Sequence, residues 1–198
     1  MDLKEAVIII TGGGTGVGSA CAQALAKYGA RVVIAYNKSK EGAIAAEKKC
    51  KALGGDAITV KGNVALDNDC KNIVSKTINQ WGRIDGLVNN AGITKFAAPN
   101  NLDALSSQDF IDLYSTNVVG SYQMLRACSE YLKTSRGSVV NVSSIAGIKA
   151  IGSSTAYIAS KAALNAMTVA LARALAPEIR INAVCPGLVD TEWHSKRF

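Results

Sequence analysis

Apolar residues fall along the chain in two alternating rhythms. Short runs rich in Val and Ile stand at 6–11 (AVIIIT), 31–36 (RVVIAY), 57–62 (AITVKG), 86–90 (GLVNN), 138–143 (SVVNVS) and 180–185 (RINAVC). Between them lie longer stretches in which apolar residues recur at helical spacing, at about 17–28, 40–53, 67–81, 107–133 and 155–176. The short runs predict strands and the longer ones helices. The first two runs hold almost no polar residue, as strands buried on both faces require. Strict strand–helix alternation predicts βαβ units, hence an α/β fold with a doubly wound parallel sheet and helices on both faces. Gly29 follows the first helical stretch and Gly54-Gly55 the second, where glycine commonly stops a helix. No repeat, linker or low-complexity segment interrupts the pattern, so residues 1–198 read as a single domain.

Composition narrows the function. Hydrophobic residues make up 48% of the 198 positions, enough for a sizeable core. The first apolar run is about five residues long, too short for a signal peptide or a membrane span, so a cytoplasmic protein without a membrane partner is expected. Cys21, Cys50, Cys70, Cys128 and Cys185 are odd in number, widely spaced and never in a C-x-x-C pair. That fits a reducing compartment and argues against a disulfide framework or a metal site. The net charge of +7 favours anionic ligands such as phosphates. No run of five basic residues and no interleaving of aromatic and basic residues occurs, so a nucleic-acid partner is not expected.

In an open parallel sheet, ligands bind beyond the carboxyl ends of the strands. The segments just after each strand therefore carry the candidate chemistry. After the first strand comes TGGGTGVG, with five glycines between Gly12 and Gly18. It is not G-x-G-x-x-G in any frame, and Ser19 stands where a phosphate-binding loop of the Walker type needs Lys. A tight turn needs one or two glycines. Five of them let backbone approach a pyrophosphate held at the N-terminus of the next helix. After the second strand, Tyr36-Asn37-Lys38-Ser39 offers no acid for a ribose diol, and Lys38 suits a 2′-phosphate; the plain alternative is a solvated loop lysine. After the fourth strand, Asn89-Asn90-Ala91-Gly92 suggests hydrogen bonds to backbone beside a flat ligand, or simply an Asx turn.

Phe110, Leu113, Asn117 and Met124 fall near one helical face, and Asn117 is its polar member. Its amide needs a partner, either in the core or at a site. The fifth strand ends in Ser143-Ser144. Tyr157 follows thirteen residues later and Lys161 stands four beyond it, in YIASK. Residues i and i+4 share a helical face. An ammonium there would favour the phenolate, lower the Tyr157 pKa and fit it for proton exchange with a carbonyl or alcohol oxygen.

Together these residues resemble the short-chain dehydrogenase/reductase family, closest in type to its β-ketoacyl-acyl-carrier-protein reductases. Thr11, Gly12, Gly16 and Gly18 meet T-G-x-x-x-G-x-G, residues 89–92 meet N-N-A-G, and Asn117, Ser144, Tyr157 and Lys161 meet the tetrad. Pro186-Gly187 follows the sixth strand, with Thr191 four residues on. The resemblance implies a Rossmann-type sheet and an enzyme that moves a hydride between NADP(H), with NAD(H) the alternative, and a small carbonyl or secondary-alcohol substrate. Tyr157 would be the general acid or base. Lys161 would lower its pKa and bind the nicotinamide ribose. Ser144 would hold the substrate oxygen and Asn117 would support a water-linked proton relay. The dinucleotide would lie against Gly12, Gly14, Thr15, Gly16, Val17, Gly18, Asn37, Lys38, Asn63, Val64, Asn90, Ala91, Gly92, Pro186, Gly187, Val189 and Thr191, with Tyr157 and Lys161. Asn63 stands where many family members carry Asp. Protomers would pair as a homodimer or homotetramer through the helices holding Asn117 and Tyr157.

The family pattern usually continues past Thr191 with a substrate-covering segment, a helix and a seventh strand, so this lid and last strand are expected to be absent from the 198 residues. His194, the sole histidine, reads as a loop residue, and Trp193 as a residue within reach of substrate. Two other readings stay open. One is an NAD-dependent polyol, sugar or steroid dehydrogenase of the same family. The other is a dinucleotide-binding protein without catalysis, which would have no need of Ser144, Tyr157 and Lys161 together.

Overall fold

The computed structural model describes residues 2–191. Trp193 and His194 lie outside these described residues. Six parallel strands run β1 (Val7–Thr11), β2 (Arg31–Tyr36), β3 (Asp56–Lys61), β4 (Gly86–Asn89), β5 (Ser138–Val142) and β6 (Arg180–Val184). They pair in the order β3-β2-β1-β4-β5-β6. The sequence therefore gave strand positions within about a residue. Asn90 leaves the predicted fourth strand: its N–H bonds Thr11 Oγ1 at 3.0 Å and the Val88 carbonyl at 3.1 Å instead of a backbone carbonyl across the ladder.

Helices α1 (Gly16–Lys27), α2 (Lys40–Ala52), α3 (Asp67–Trp81), α4 (Ser107–Tyr114), α5 (Gly120–Ser135), α6 (Ala146–Lys149) and α7 (Thr155–Ala174) make the crossovers. Alternation along β1 sorts them into two layers. Ile8 and Ile10 pack with Ala22 and Ala26 of α1 and Ala43, Ala46 and Cys50 of α2. Ile9 packs on the other face with Cys70, Ile73 and Val74 of α3 and Met124, Leu125, Cys128 and Leu132 of α5. A side chain pointing one way on a strand and its neighbour the other way is what gives a doubly covered sheet its two cores. At the amino end of the sheet, the buried Asp85 carboxylate accepts from Val7 N–H at 2.9 Å and from Arg83 at 2.6 Å and 2.9 Å, which ties β4 to β1.

The single helix expected at 107–133 is two helices joined by a π-helical turn, Ser115–Val119. The widened turn contains Asn117. The short helix α6 and a 3₁₀ turn at Leu102–Ala104 were not anticipated either. Both are too short to leave a periodic signal.

The strand order reverses between β1 and β4, so a crevice opens at their carboxyl ends. TGGGTGVG and NNAG leave the sheet at this point.

Candidate active site

The crevice is stitched together by side chains of its own walls. Thr11 Oγ1 accepts from the N–H groups of Asn90 and Ala91, each at 3.0 Å. The Asn90 amide donates to the carbonyls of Thr11 and Gly12, each at 3.0 Å. Gly18 lies so close beneath this clasp that a Cβ there would stand 2.4 Å from the Gly12 carbonyl oxygen. Gly16 has φ +49°, which an L side chain rarely adopts. The glycines thus let the chain turn from β1 into α1 flush against β4.

The N-terminus of α1 has no side-chain cap from Thr15 and no acidic residue in its first turn. The first-turn N–H groups have no intrahelical partner and carry the positive end of the helix dipole. Gly16 and Val17 present them to a cavity of about 660 Å³. Strand order fixes the cavity's long axis. Tyr36, Asn37, Lys38 and Ser39 after β2, with Gly62, Asn63, Val64 and Ala65 after β3, line one end. Gly12, Thr15, Asn90, Ala91 and Gly92 line the middle. Ser143, Ser144, Tyr157, Lys161, Pro186, Gly187, Val189 and Thr191 line the other end. Six strands at about 4.8 Å spacing put roughly 24 Å between the two ends. An extended molecule with a central diphosphate fits this shape: the uncapped helix faces its middle, and the glycine backbone leaves room for it.

Not every residue expected to hold the dinucleotide lines the cavity. Gly14 and Gly18 do not line the cavity. A Cβ on Gly14 would stand 2.7 Å from Ser39 Oγ and 3.0 Å from Ala43 N, so this glycine admits α2 rather than a ligand. Gly18 serves the clasp described above. Asn117 is fully buried and does not reach the cavity either. Its Oδ1 accepts from Ile93 N–H at 2.8 Å, and its Nδ2 donates to the Ile93 carbonyl at 3.1 Å and to Ser160 Oγ at 3.0 Å. With both amide N–H groups and the amide oxygen engaged, Asn117 fixes the backbone just past Gly92.

At the far end, Ser154 caps α7 by accepting from Tyr157 N–H at 3.2 Å. This start sets the helical face that brings Tyr157 and Lys161 toward the end of β5. Ser144 Oγ hydrogen-bonds Tyr157. The Lys161 ammonium lies 5.7 Å from the centre of the Tyr157 ring and donates to the Val142 carbonyl at 2.9 Å. No carboxylate accompanies it among the described residues. Burial pulls its pKa down to about 8, with Cys185 pulling weakly the other way.

One expectation about this pair is reversed. Lys161 does not lower the Tyr157 pKa here. Burial pushes the phenol up, and only the Ser144 hydrogen bond opposes it. The reason is geometric: the ammonium is engaged by a backbone carbonyl on the ring's flank instead of reaching the phenol oxygen.

Ser143 was passed over in the sequence, although it stands at a strand end. Its hydroxyl donates to the Lys161 carbonyl at 3.2 Å and locks α7 to β5. Asp112, Ser115 and Thr116 also line the cavity. Asp112 arrives from the last turn of α4 and Ser115 and Thr116 through the π turn, which no sequence signal marked. Among the described residues there is no group of three potential metal ligands and no helix long and apolar enough to cross a membrane.

A parallel sheet in this strand order, with a glycine turn at the middle of one crevice and a Ser-Tyr-Lys group at its end, defines a nucleotide-dependent dehydrogenase. Comparison with known proteins agrees. The family model for short chain dehydrogenases matches residues 6–198, and the chain belongs to that family. It is 39% identical over 191 residues to an uncharacterized oxidoreductase of Methylorubrum extorquens, covering 96% of this chain and 75% of that protein. It is 34% identical over 186 residues to the 3-oxoacyl-(acyl-carrier-protein) reductase FabG of Staphylococcus aureus, covering 93% of this chain and 74% of that one. Among solved structures it is similar to an NAD+-bound xylitol dehydrogenase, with TM-score 0.88 and 32% identity over 94% of this chain and 72% of the other. The protein is thus an NAD(P)-dependent dehydrogenase/reductase.

Proposed function

We infer that the enzyme is an NADPH-dependent carbonyl reductase, with 3-oxoacyl thioesters the first substrates to try. The observation that carries the reading is the meeting of Ser144, Tyr157 and Lys161 at the end of the cavity opposite Lys38. When bound, the nicotinamide nucleotide supplies the hydride for reduction. The glycine turn and the first-turn N–H groups of α1 hold its diphosphate, and Asn37, Lys38, Asn63 and Val64 hold its adenosine end. Lys38 gives the preference for a 2′-phosphate, since no acid at the end of β2 competes for the ribose. Asn90 positions the glycine turn through the carbonyls of Thr11 and Gly12. Ala91 and Gly92 border the nicotinamide ribose, and Pro186, Gly187, Val189 and Thr191 border the nicotinamide.

Ser144 and Tyr157 both donate to the carbonyl oxygen of the substrate. Tyr157, kept protonated by burial, gives its proton to that oxygen as negative charge grows on it. Lys161 would leave the Val142 carbonyl to hold the ribose, and its charge would then support the phenolate that forms. Asn117 acts through the backbone of Ile93.

The similarity to an NAD+-bound xylitol dehydrogenase favours a second reading, an NAD-dependent polyol dehydrogenase. Titrating the purified chain with NADPH and NADH, and comparing it with Lys38→Glu, separates the two. NADPH should bind more tightly, by about tenfold, and the variant should lose that margin. Equal or inverted affinities in the unaltered chain would refute the Lys38 reading. Tyr157→Phe should bind NADPH with unchanged affinity and lose turnover by about a thousandfold or more. An unaltered chain that binds nucleotide and reduces no carbonyl would instead be a binding protein.

Self-association follows the outer side of the helices that carry the site. Phe110, Ile111, Tyr114, Ala156 and Ala159 line an apolar groove of about 310 Å³ between α4 and α7, and Val119, Tyr122 and Val169 are exposed. A homodimer or homotetramer would cover them. Five free cysteines suit a reducing cytoplasm.

A further inference from the structure

Val64 forms part of the cavity wall just after β3, and two helices hold it from behind. Its carbonyl accepts from Gln123 Nε2 of α5 at 2.8 Å and from Cys70 Sγ of α3 at 3.3 Å. Gly120 stands about one helical turn before Gln123. A Cβ there would lie 2.7 Å from Val64 Cγ2 and 3.2 Å from the Val64 carbonyl carbon. Residues three apart share a helical face, so α5 meets this loop with a close contact at Gly120 and a bond at Gln123.

The rest of the loop is bonded in the same way. Gly62 N–H donates to the Tyr36 carbonyl at 2.8 Å, Asn63 N–H to the Asp69 carboxylate at 2.8 Å, and Ala65 N–H to Asn63 Oδ1 at 3.1 Å. The peptide between Val64 and Ala65 is therefore held at both ends, by Gln123 at its oxygen and by Asn63 at its nitrogen. Arg126, three residues beyond Gln123, pairs with Asp67 at the start of α3. One helix thus grips both the loop and the helix that follows it.

Gln123 is polar in apolar company. It is buried on a helix whose other inward residues include Met124, Leu125, Cys128 and Leu132. A buried amide lowers stability unless it is bonded, and an apolar side chain of equal length would fill the same space without that penalty. What the amide adds is direction: a donor at 2.8 Å from one carbonyl fixes where that peptide points. Gln123 does not itself line the cavity, whereas Asn63, Val64 and Ala65 do. A loop left free to rotate would have to be ordered when a ligand arrives, and that ordering would be taken from its affinity.

We propose that Gln123 is a positioning residue for the adenosine end of the nucleotide: through the Val64 carbonyl it holds the loop after β3 in the shape that receives adenosine. This rests on the reading that places the adenosine between the ends of β2 and β3. The glycine turn and the Ser144–Tyr157 end do not depend on Gln123.

Two fragments of the nucleotide test the proposal. ADP carries the adenosine end with the diphosphate, and nicotinamide mononucleotide carries the other end. Displacement of NADPH, followed by its fluorescence, gives Kd for each fragment with the unaltered chain, Gln123→Met and Gly120→Ala. Met keeps the length of the side chain and loses the donor. Ala at position 120 keeps the donor and pushes on Val64. Each variant should weaken ADP by about fivefold, the loss expected for one hydrogen bond, and leave nicotinamide mononucleotide unchanged. Amide exchange reads the loop without any ligand: Ala65 N–H should be protected in the unaltered chain and exchange faster in Gln123→Met.

ADP binding that ignores Gln123→Met would overturn the proposal. So would equal weakening of both fragments, which is what a general loosening of the fold produces. If Gln123→Met does not fold, Gly120→Ala and the exchange of the unaltered chain decide: unchanged ADP binding, or an unprotected Ala65 N–H, overturns it. An unaltered chain from which ADP fails to displace NADPH would refute the placement of adenosine at Val64 instead, and the proposal would fall with it.

Discussion

Replacing Lys161 by Met should stabilise the nucleotide-free protein while abolishing its activity. The ammonium is buried and has a backbone carbonyl, not a carboxylate, for company. Burial brings its pKa from 10.5 down to about 8. At 1.36 kcal/mol per unit, holding the proton in the folded state at neutral pH costs about 3 kcal/mol. Met matches the length of the stem and carries no charge. Loss of the bond to Val142 takes back about 1 kcal/mol. The net gain is about 2 kcal/mol, or roughly 4–8 °C in melting temperature for a chain of this size. The sign is set by proton counts. Between pH 8 and 10.5 the unfolded lysine keeps a proton that the folded one has released, so wild-type stability rises with pH across that window. Below pH 8 both states hold the proton and the penalty is constant. Urea unfolding of both proteins at pH 7, 9 and 10.5, without nucleotide, gives the answer. The difference should be largest at pH 7, fall as pH rises and reverse slightly by pH 10.5, where the lost Val142 bond, about 1 kcal/mol, outweighs what is left of the penalty. A variant no more stable than wild type at pH 7, or a difference that ignores pH, would refute the burial argument.

Two further outcomes follow from the same geometry. Gly18→Ala puts a methyl 2.4 Å from the Gly12 carbonyl and 2.5 Å from the Asn90 amide nitrogen, so the clasp between β1 and β4 must open. Its cost should be about 3 kcal/mol in unfolding free energy with at least a tenfold weaker Kd for NADPH; unchanged binding would show that the turn yields without harm. In the nucleotide-free protein the Tyr157 phenol should titrate above its ordinary value of 10, because burial raises it and only the Ser144 hydroxyl opposes that; the phenolate absorbance lost in Tyr157→Phe reads this, and a phenol that titrates below 10 would refute it.

Much of this was readable in the chain because backbone chemistry dictates it. Strands covered by helices on both faces must be apolar throughout, so β1 and β2 announce themselves as unbroken runs. The glycines of residues 12–18 mark a turn that no side chain could share. The spacing of Tyr157 and Lys161 gives their common helical face, and the strand-end rule gives the cavity. What escaped belongs to tertiary packing. Thr116, Val118 and Val119 read as ordinary helix from sequence, and only the position of Asn117 against Ile93 and Ser160 explains a π turn there. Gly14 and Gly18 look like the other glycines of the turn, yet what they admit is α2 and the Gly12–Asn90 clasp.

The case of Tyr157 and Lys161 shows why spacing alone misjudged the electrostatics. Periodicity says that two side chains share a face; it is silent on how much water they keep. Here both lie in an interior where an isolated charge is costly, so each is driven toward its neutral form, the phenol upward and the amine downward. A Tyr-Lys pair in water would have lowered the phenol as expected. In this site burial drives both groups toward their neutral forms while Lys161 still holds its proton at pH 7, and a bound ribose that draws Lys161 off the Val142 carbonyl would bring that charge nearer the phenol. On this argument the amine should return toward its ordinary pKa when NADP+ binds. Titration of a selectively labelled Lys161 by NMR in the two states reads this directly: a pKa that stays near 8 in the complex would mean that the lysine does not move to the ribose.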